Sequence, residues 1–485
     1  MLRLPYRRGR LAFTASFGVS VILALAAPLR ADTRAKVDAT LLQSARAGTA
    51  GSFFVELGEE ADLSGAAALA GKIEKGRYVF DQLREVADRT QPPVEQAVRQ
   101  AGFETLSFYI VNRILVVPQE GRRVSQEQLV TLASRDDVSR ILPVAPAELL
   151  RDIPLTHSRV RGESHIPDNI EMIGASNLHH RGIDGRGVVV GVSDTGMEWT
   201  HPTIESRYRG SSASTANHDY NWFDPSEERS RVPVDTNGHG THVTAIVTGG
   251  PPGDRVGVAP GAQWIGCRAL GPGSNAATVL SCLQFFLAPT DVDGKNPNPD
   301  LAPDVTNHSY ICPFCELQDA FQALKDAGIV AVTASGNFGP ECESVFDPGT
   351  YPNVLTVGAV GNAGGIAEFS SRGPVPDLSG VKPEIVAPGA AIRSAYLFDG
   401  YESLTGTSHA SPHVAGAFAL LWNARPDLRG NVAASIELML DAAKPNASAD
   451  CLSDSADAVN NLYGHGVLNL NSLVRTAPRR RSVGK

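Results

Sequence analysis

The chain has 485 residues, of which 42% are hydrophobic and 20% charged, enough apolar material for more than one buried core. Its formal net charge of −9 excludes a nucleic-acid binder that works through a concentrated basic surface, since the one basic cluster is the terminal "RRR" at 479–481.

In chain order, the first feature reads as an export signal. Arg3, Arg7, Arg8 and Arg10 precede an uncharged run from Leu11 to Leu29, with small residues at Ala26, Ala27 and Ala31. A signal peptide is therefore expected over 1–31 and a secreted product, extracellular or periplasmic. The same run is long enough to act as an uncleaved anchor, but its Ser, Thr, Gly and Pro content favours removal, and no membrane is expected for the mature form.

Residues 32–150 read as a compact α+β module. "SFFVEL" (52–57) is strand-like, Val79, Leu83, Val86 and Ala87 recur at helical spacing, and "TLSFYIVNRILVVP" (105–118) is β-branched and aromatic. Ser125 with Gln128 three residues on forms a capping-box pattern that predicts a helix burying Leu129 and Leu132. A polar linker follows over 151–170, interrupted by Pro154 and Pro167. From 171 to 475 apolar runs alternate with helical patterns, as in parallel sheets covered on both faces. "GVVVGVSDTG", "GIVAVTASGN" (328–337) and "NVLTVGAV" (353–360) are predicted strands. Leu317, Phe321 and Leu324 mark one helix face, and Val414, Phe418, Leu421 and Trp422 another. The expected fold is α/β, a mostly parallel central sheet flanked by helices and preceded by the small α+β domain; residues 476–485 form a basic tail.

Three polar residues punctuate this second domain: Asp194 at a strand end, His239 just before a helix in "DTNGHGTHVTA", and Ser408 opening a helix in "GTSHASPHVAG". A serine hydroxyl is a poor nucleophile until a histidine takes its proton, and that histidine needs a buried carboxylate to fix its tautomer and stabilise the imidazolium. Taken singly, each has a plain structural reading as turn, packing residue or N-cap; together, in the order Asp, His, Ser, they form a catalytic set. A zinc reading of His239 and His242 fails for want of a third ligand or an HExxH pattern. Six cysteines (267, 282, 312, 315, 342, 451) in an exported chain suit structural disulfides, with fifteen pairings open.

"VSDTG", "GHGTHV" and "GTSHASPHVAG" resemble the three signature blocks of the subtilisin-like serine proteases, over about residues 165–475. "DTGMEWTHP", "NWFD" and "KPEIVAPG" are most similar to the bacillopeptidase F branch. The resemblance implies catalysis by Asp194, His239 and Ser408, with His242 in support, and an oxyanion donor at Asn337 in "TASGNFG". It implies substrate binding by Ser309 and Tyr310 in "DVTNHSYIC" and by Ala334, Ser335 and Gly336. Two positions depart from its pattern: Ile311 stands where the family has glycine, and His409 where it usually has methionine.

The same resemblance implies that the N-terminal module, with "KGRYVFDQLREVADRTQPPVEQA", is an inhibitory propeptide cut off within the linker. It implies protein or peptide substrates, a monomer, and no required cofactor. Calcium stabilises many such proteins, and "DVDGKNPNPD" (291–300) is rich in oxygen ligands, but the stretch reads better as a solvated loop. The loops after the substrate strand and after Asn337 flank one pocket in this family, which implies Cys312 or Cys315 bonded to Cys342, Cys267 bonded to Cys282, and Cys451 with the remaining partner.

Overall fold

The computed structural model describes residues 31–153, 166–212, 215–451 and 459–476. The expected signal peptide (but for its last residue), most of the linker and nearly all of the basic tail lie outside the described residues. No helix among the described residues is long and apolar enough to cross a membrane.

The N-terminal module contains α1 (Ala39–Ala47), β1 (Phe53–Leu57), α2 (Lys72–Gln100), β2 (Phe103–Phe108), β3 (Arg113–Pro118), α3 (Gln126–Ala133) and β4 (Val138–Pro143). Its strands form an antiparallel sheet in the order β2-β3-β1-β4. The run 105–118 is thus two strands, because Asn112 takes a left-handed conformation (φ 47°) that reverses the chain between β2 and β3. The capping box at α3 forms as expected, with Gln128 N donating to Ser125 Oγ at 3.2 Å and Ser125 N to Gln128 Oε1 at 2.9 Å.

Successive residues of a strand point to opposite faces, and β1 uses both. Phe53 and Val55 join Ile114, Val116, Val94, Val98 and Leu129 in a core internal to the module. Phe54, with Leu115 and Leu142, faces the other way and shares a core with helices of the larger domain. Cross-domain polar contacts flank that shared core: Lys72 Nζ lies 3.2 Å from Asp304 Oδ1, which Arg429 also holds, and the buried Arg113 donates to the Glu316 carbonyl at 2.7 Å. After β4 the chain forms β5 (Glu148–Leu149), which leaves the module altogether.

The larger domain is built on β6 (Val189–Asp194), β7 (Trp222–Phe223), β8 (Gln263–Arg268), β9 (Val305–His308), β11 (Val330–Ala334), β12 (Leu355–Val360) and β13 (Ile385–Pro388), with β10 (Tyr310–Ile311) leaving the sheet just after β9. These seven strands pair in parallel in the order β13-β12-β11-β9-β6-β8-β7. The expected α/β architecture is present. On one face pack α4 (His239–Thr248) and α7 (Thr407–Ala424), where Val414, Phe418, Leu421 and Trp422 are buried. On the other lie α5 (Ala276–Leu287) and α6 (Gln318–Asp326), which also meet the module. A hairpin of β14 (Ile392–Tyr396) and β15 (Gly400–Leu404) covers α4.

The disulfides are Cys267–Cys282, as expected, Cys312–Cys315 and Cys342–Cys451. The expected bond from Cys312 or Cys315 to Cys342 is therefore incorrect. Left-handed conformations at Phe314 (φ 62°) and Glu316 (φ 50°) fold the CPFC turn back on itself, leaving its cysteine Cα atoms 5.5 Å apart. The Cys342 loop instead meets the C-terminal segment: Glu343 N donates to Gly373 O, Gly373 N to Asn461 O, and Asn461 Nδ2 to Cys451 O. Cys342–Cys451 spans 109 residues and Cys312–Cys315 only 3. In the chain-entropy view, Cys342→Ala/Cys451→Ala should lose about 5 kcal/mol of stability, and Cys312→Ala/Cys315→Ala much less. Urea unfolding midpoints of the two double variants check the ranking.

Candidate active site

Ligands of open α/β sheets collect at the carboxyl ends of the strands. Here Asp194 ends β6, Ser309 follows β9, and Gly336 and Asn337 follow β11, three neighbouring strands of the sheet. The amino ends of α4 and α7 deliver His239 and Ser408 to the same edge.

Asp194 is fully buried, and its Oδ1 lies 2.7 Å from His239 Nδ1. A carboxylate only accepts, so Nδ1 carries a proton in either charge state, and in the neutral imidazole Nε2 presents its lone pair to the cleft. The bond is possible because the loop before α4 is tightly held. The Asp235 carboxylate accepts from Thr195 Oγ1, Asn237 N, Gly238 N, Thr241 N and Thr241 Oγ1, at 2.7 to 3.0 Å. Gly238 sits at φ 98°, where a side chain would be strained and would meet the Tyr396 ring. Asp235 was not singled out from the sequence; it lies in the quoted block, but its role appears only when the loop closes around it.

Burial works against protonation of His239, yet the charge and hydrogen bond of Asp194, with Asp152 and Asp235 behind them, outweigh it and raise its pKa to about 9. His242 behaves differently: burial, and then the neighbouring His409, push it well below the usual histidine range. Its Nε2–H donates to the Ile392 and Glu402 carbonyls at 3.0 and 3.1 Å, tying α4 to the β14–β15 hairpin, the supporting role expected of it.

Ser408 is fully buried, and its hydroxyl donates to the Ser309 carbonyl at 3.3 Å. His239 Nε2 has no hydrogen-bond partner among the described residues. The structure therefore forms the Asp194–His239 pair directly and brings Ser408 to the same cleft, with its hydroxyl turned toward Ser309. His409, the next residue, lies with its ring centroid 5.3 Å from that of His239.

Asn337 is oriented by a residue that sequence reasoning passed over, Thr407. The backbone N–H and Oγ1 of Thr407 donate to Asn337 Oδ1 at 2.8 and 2.9 Å. Since a backbone N–H can only donate, this fixes the amide with Nδ2 toward the cleft. Gly336, at φ 113°, makes the turn that brings Asn337 there. Ser309 braces the other side: its hydroxyl donates to Ser408 O at 2.8 Å and receives Asn307 Nδ2 at 2.9 Å. Tyr310 contributes its backbone, because its ring is buried and its hydroxyl meets His308 Nδ1 at 2.8 Å. Ala334 and Ser335 are fully buried at the end of β11.

The cleft holds the chain's own residues 145–153. Ala276 N donates to Ala145 O, and Ala147 N to Ser274 O. β5 then pairs antiparallel with β10, Leu149 opposite Tyr310 and Glu148 opposite Ile311. Leu150 is buried against Ile311 and Ala334. Asn337 Nδ2 donates to the Arg151 carbonyl at 3.1 Å, and Ile153 N to Thr405 O at 2.9 Å. An extended segment held on both sides by backbone bonds is the way a sheet edge receives a peptide. The residues expected to form a polar linker therefore begin inside the cleft.

A buried carboxylate orienting an imidazole, a serine at a helix start and an amide aimed at a peptide carbonyl define a serine-type peptidase. A model of the Subtilase family matches residues 185–466, and the chain belongs to that family. It is 32% identical to Bacillopeptidase F of Bacillus subtilis (strain 168) over 426 residues, 82% of this chain but only 28% of that protein. It is 33% identical to Subtilisin Savinase of Lederbergia lenta over 313 residues, 64% of this chain and 99% of the relative. The same identity and length hold for the Alkaline protease of Shouchella clausii, of which 70% is covered.

Proposed function

We propose that the protein is a secreted endopeptidase, made as a zymogen, that hydrolyses peptide bonds through an acyl-enzyme on Ser408. His239 takes the serine proton and returns it to the leaving amine, Asp194 holds the imidazole, and Asn337 with the Ser408 amide stabilises the oxyanion. The module over 32–150 is its propeptide and inhibitor, and substrates are proteins or peptides that replace residues 145–153 in the cleft. The observation that carries this reading is the Arg151 carbonyl on Asn337 Nδ2, a peptide carbonyl presented to the donor set of an acyl transfer. For attack, the Ser408 hydroxyl rotates from Ser309 O to His239 Nε2, a bond that tightens on the way to the transition state. The mature enzyme is read as a monomer.

No redox or organic cofactor enters this chemistry. In the stretch 291–300, Asp291 Oδ1 accepts from Asp293 N and Lys295 N, and its Oδ2 from Asn296 Nδ2, bonds that shape the loop and leave a calcium ion there as a proposal. The test of the reading is labelling by a fluorophosphonate once the module has been separated. A folded protein freed of the module that stays unlabelled would refute an activated Ser408.

The imidazole is a base only when neutral, and its pKa in the intact chain is raised to about 9. Intramolecular cleavage should therefore quicken as pH rises and level off above about 9. Asp152→Asn removes one of the charges that hold the proton, so the midpoint of this profile should move to lower pH. Gel time courses of cleavage across pH read that midpoint independently of the absolute rate.

A further inference from the structure

His409 stands directly after the nucleophile, and its side chain is fully buried. Its Nε2–H donates to Asp152 Oδ1 at 2.7 Å, the only hydrogen bond its ring makes among the described residues. The rings of His239 and His242 wall it in, at centroid distances of 5.3 and 4.6 Å, and His413 Nδ1–H donates to its carbonyl at 2.8 Å. Asp152 is half-buried, with a side chain 31% exposed.

The backbone bonds on either side locate Asp152 relative to the bond to be cut. The Arg151 carbonyl faces the oxyanion donor Asn337, and Ile153 N is fixed on Thr405 O. The scissile bond in this register is Arg151–Asp152, and Asp152 is the first residue on the leaving side. Its carboxylate therefore occupies the space that the first leaving-side residue of any substrate must enter.

We propose that His409 makes this enzyme selective for an acidic side chain, aspartate or glutamate, immediately after the scissile bond; the proposal rests on the serine-peptidase reading above. A buried imidazole N–H without another acceptor costs free energy when the incoming side chain offers none, and a carboxylate satisfies it with a charge-assisted bond. An alanine leaves the donor unpaired, and a lysine brings a second donor to it. The direction of the Asp152 titration agrees: burial opposes ionisation, but His409, then His239 and His242, hold the carboxyl well below its usual range. Arg151, by contrast, is exposed, so its side chain is not what anchors this segment.

The test uses peptides Ala-Glu-Leu-Leu-Arg-X-Ile-Pro, the sequence of residues 147–154 with X in place of Asp152. X is Asp, Glu, Asn, Ala or Lys, the cut is located by mass spectrometry, and rates are normalised to sites titrated with a fluorophosphonate. The expected kcat/KM for Asp and Glu exceeds that for Ala and Asn by about tenfold or more. His409→Met should reduce that ratio to about two or less, and His409→Gln, which keeps a donor without a charge, should leave an intermediate ratio. The inference is overturned by a wild-type ratio within twofold of unity, by a ratio that survives in His409→Met, or by cleavage at Leu-Arg, which would move the acid one place along. Failure to cut any peptide, with no fluorophosphonate labelling, would instead count against the serine-peptidase reading itself.

Discussion

Ser408→Ala is expected to leave the chain uncut, with the N-terminal module still attached, and, after the module is removed by an added protease, to lower kcat on peptides by a factor on the order of 10⁶. The substitution is small in structural terms. Ser408 Oγ makes one bond, to the Ser309 carbonyl, and the Ser309 hydroxyl bonds to the backbone oxygen of residue 408, which alanine keeps. Alanine also suits the first turn of α7, so folding should be unaffected. Circular dichroism and a melting curve matching wild type would show that only chemistry was lost. Separation of the module in the purified variant, with no added protease, would mean that residue 408 is not the nucleophile of that cut.

Asp194→Asn should reduce kcat by about 10³ to 10⁴ while leaving the protein folded. Asp194 Oδ1 accepts from both Thr195 N and His239 Nδ1–H, at 2.7 Å in each case. An asparagine can keep its oxygen there only by burying its amide nitrogen where Oδ2 now lies, and Oδ2 has no hydrogen-bond partner among the described residues. Turned the other way, it presents N–H to Nδ1, forces the proton onto Nε2 and leaves Ser408 without a base. In both orientations the charge that offsets burial of the imidazolium is gone, so the apparent pKa of His239 should drop. A kcat profile in which the loss persists on the alkaline side, with its midpoint moved toward acid, separates this from simple unfolding.

The residues proposed as catalytic could be picked out because each stands in a short block rich in glycine and threonine, as Gly238 and Thr241 around His239 illustrate. The architecture was legible for a related reason: strands buried on both faces leave unbroken apolar runs such as "GVVVGV". Asn337 came from resemblance, but Thr407, which orients it, carries no signal beyond a hydroxyl next to the nucleophile. The placement of residues 145–153 was illegible for a different reason. The first six residues of "APAELLRDI" read as the end of the module and the last three as linker; what draws it into the cleft as a strand is the unpaired edge of β10, contributed from more than 150 residues away. The cysteine pairing failed on local geometry, since two left-handed residues in and beside CPFC are not readable from spacing.

The shared core between the module and α5 and α6 has a consequence for timing. Cutting one peptide bond in the cleft removes none of the contacts of Phe54, Leu115 and Leu142, nor the Lys72–Asp304 and Arg113–Glu316 attachments. If the chain is processed as proposed, the severed N-terminal piece stays docked as a tenant with no covalent tether, and its dissociation rather than bond scission sets the pace at which the cleft opens. Onset of activity in a fresh preparation would then show a lag that shortens when a little already active enzyme is added to digest the tenant, so the population switches on together.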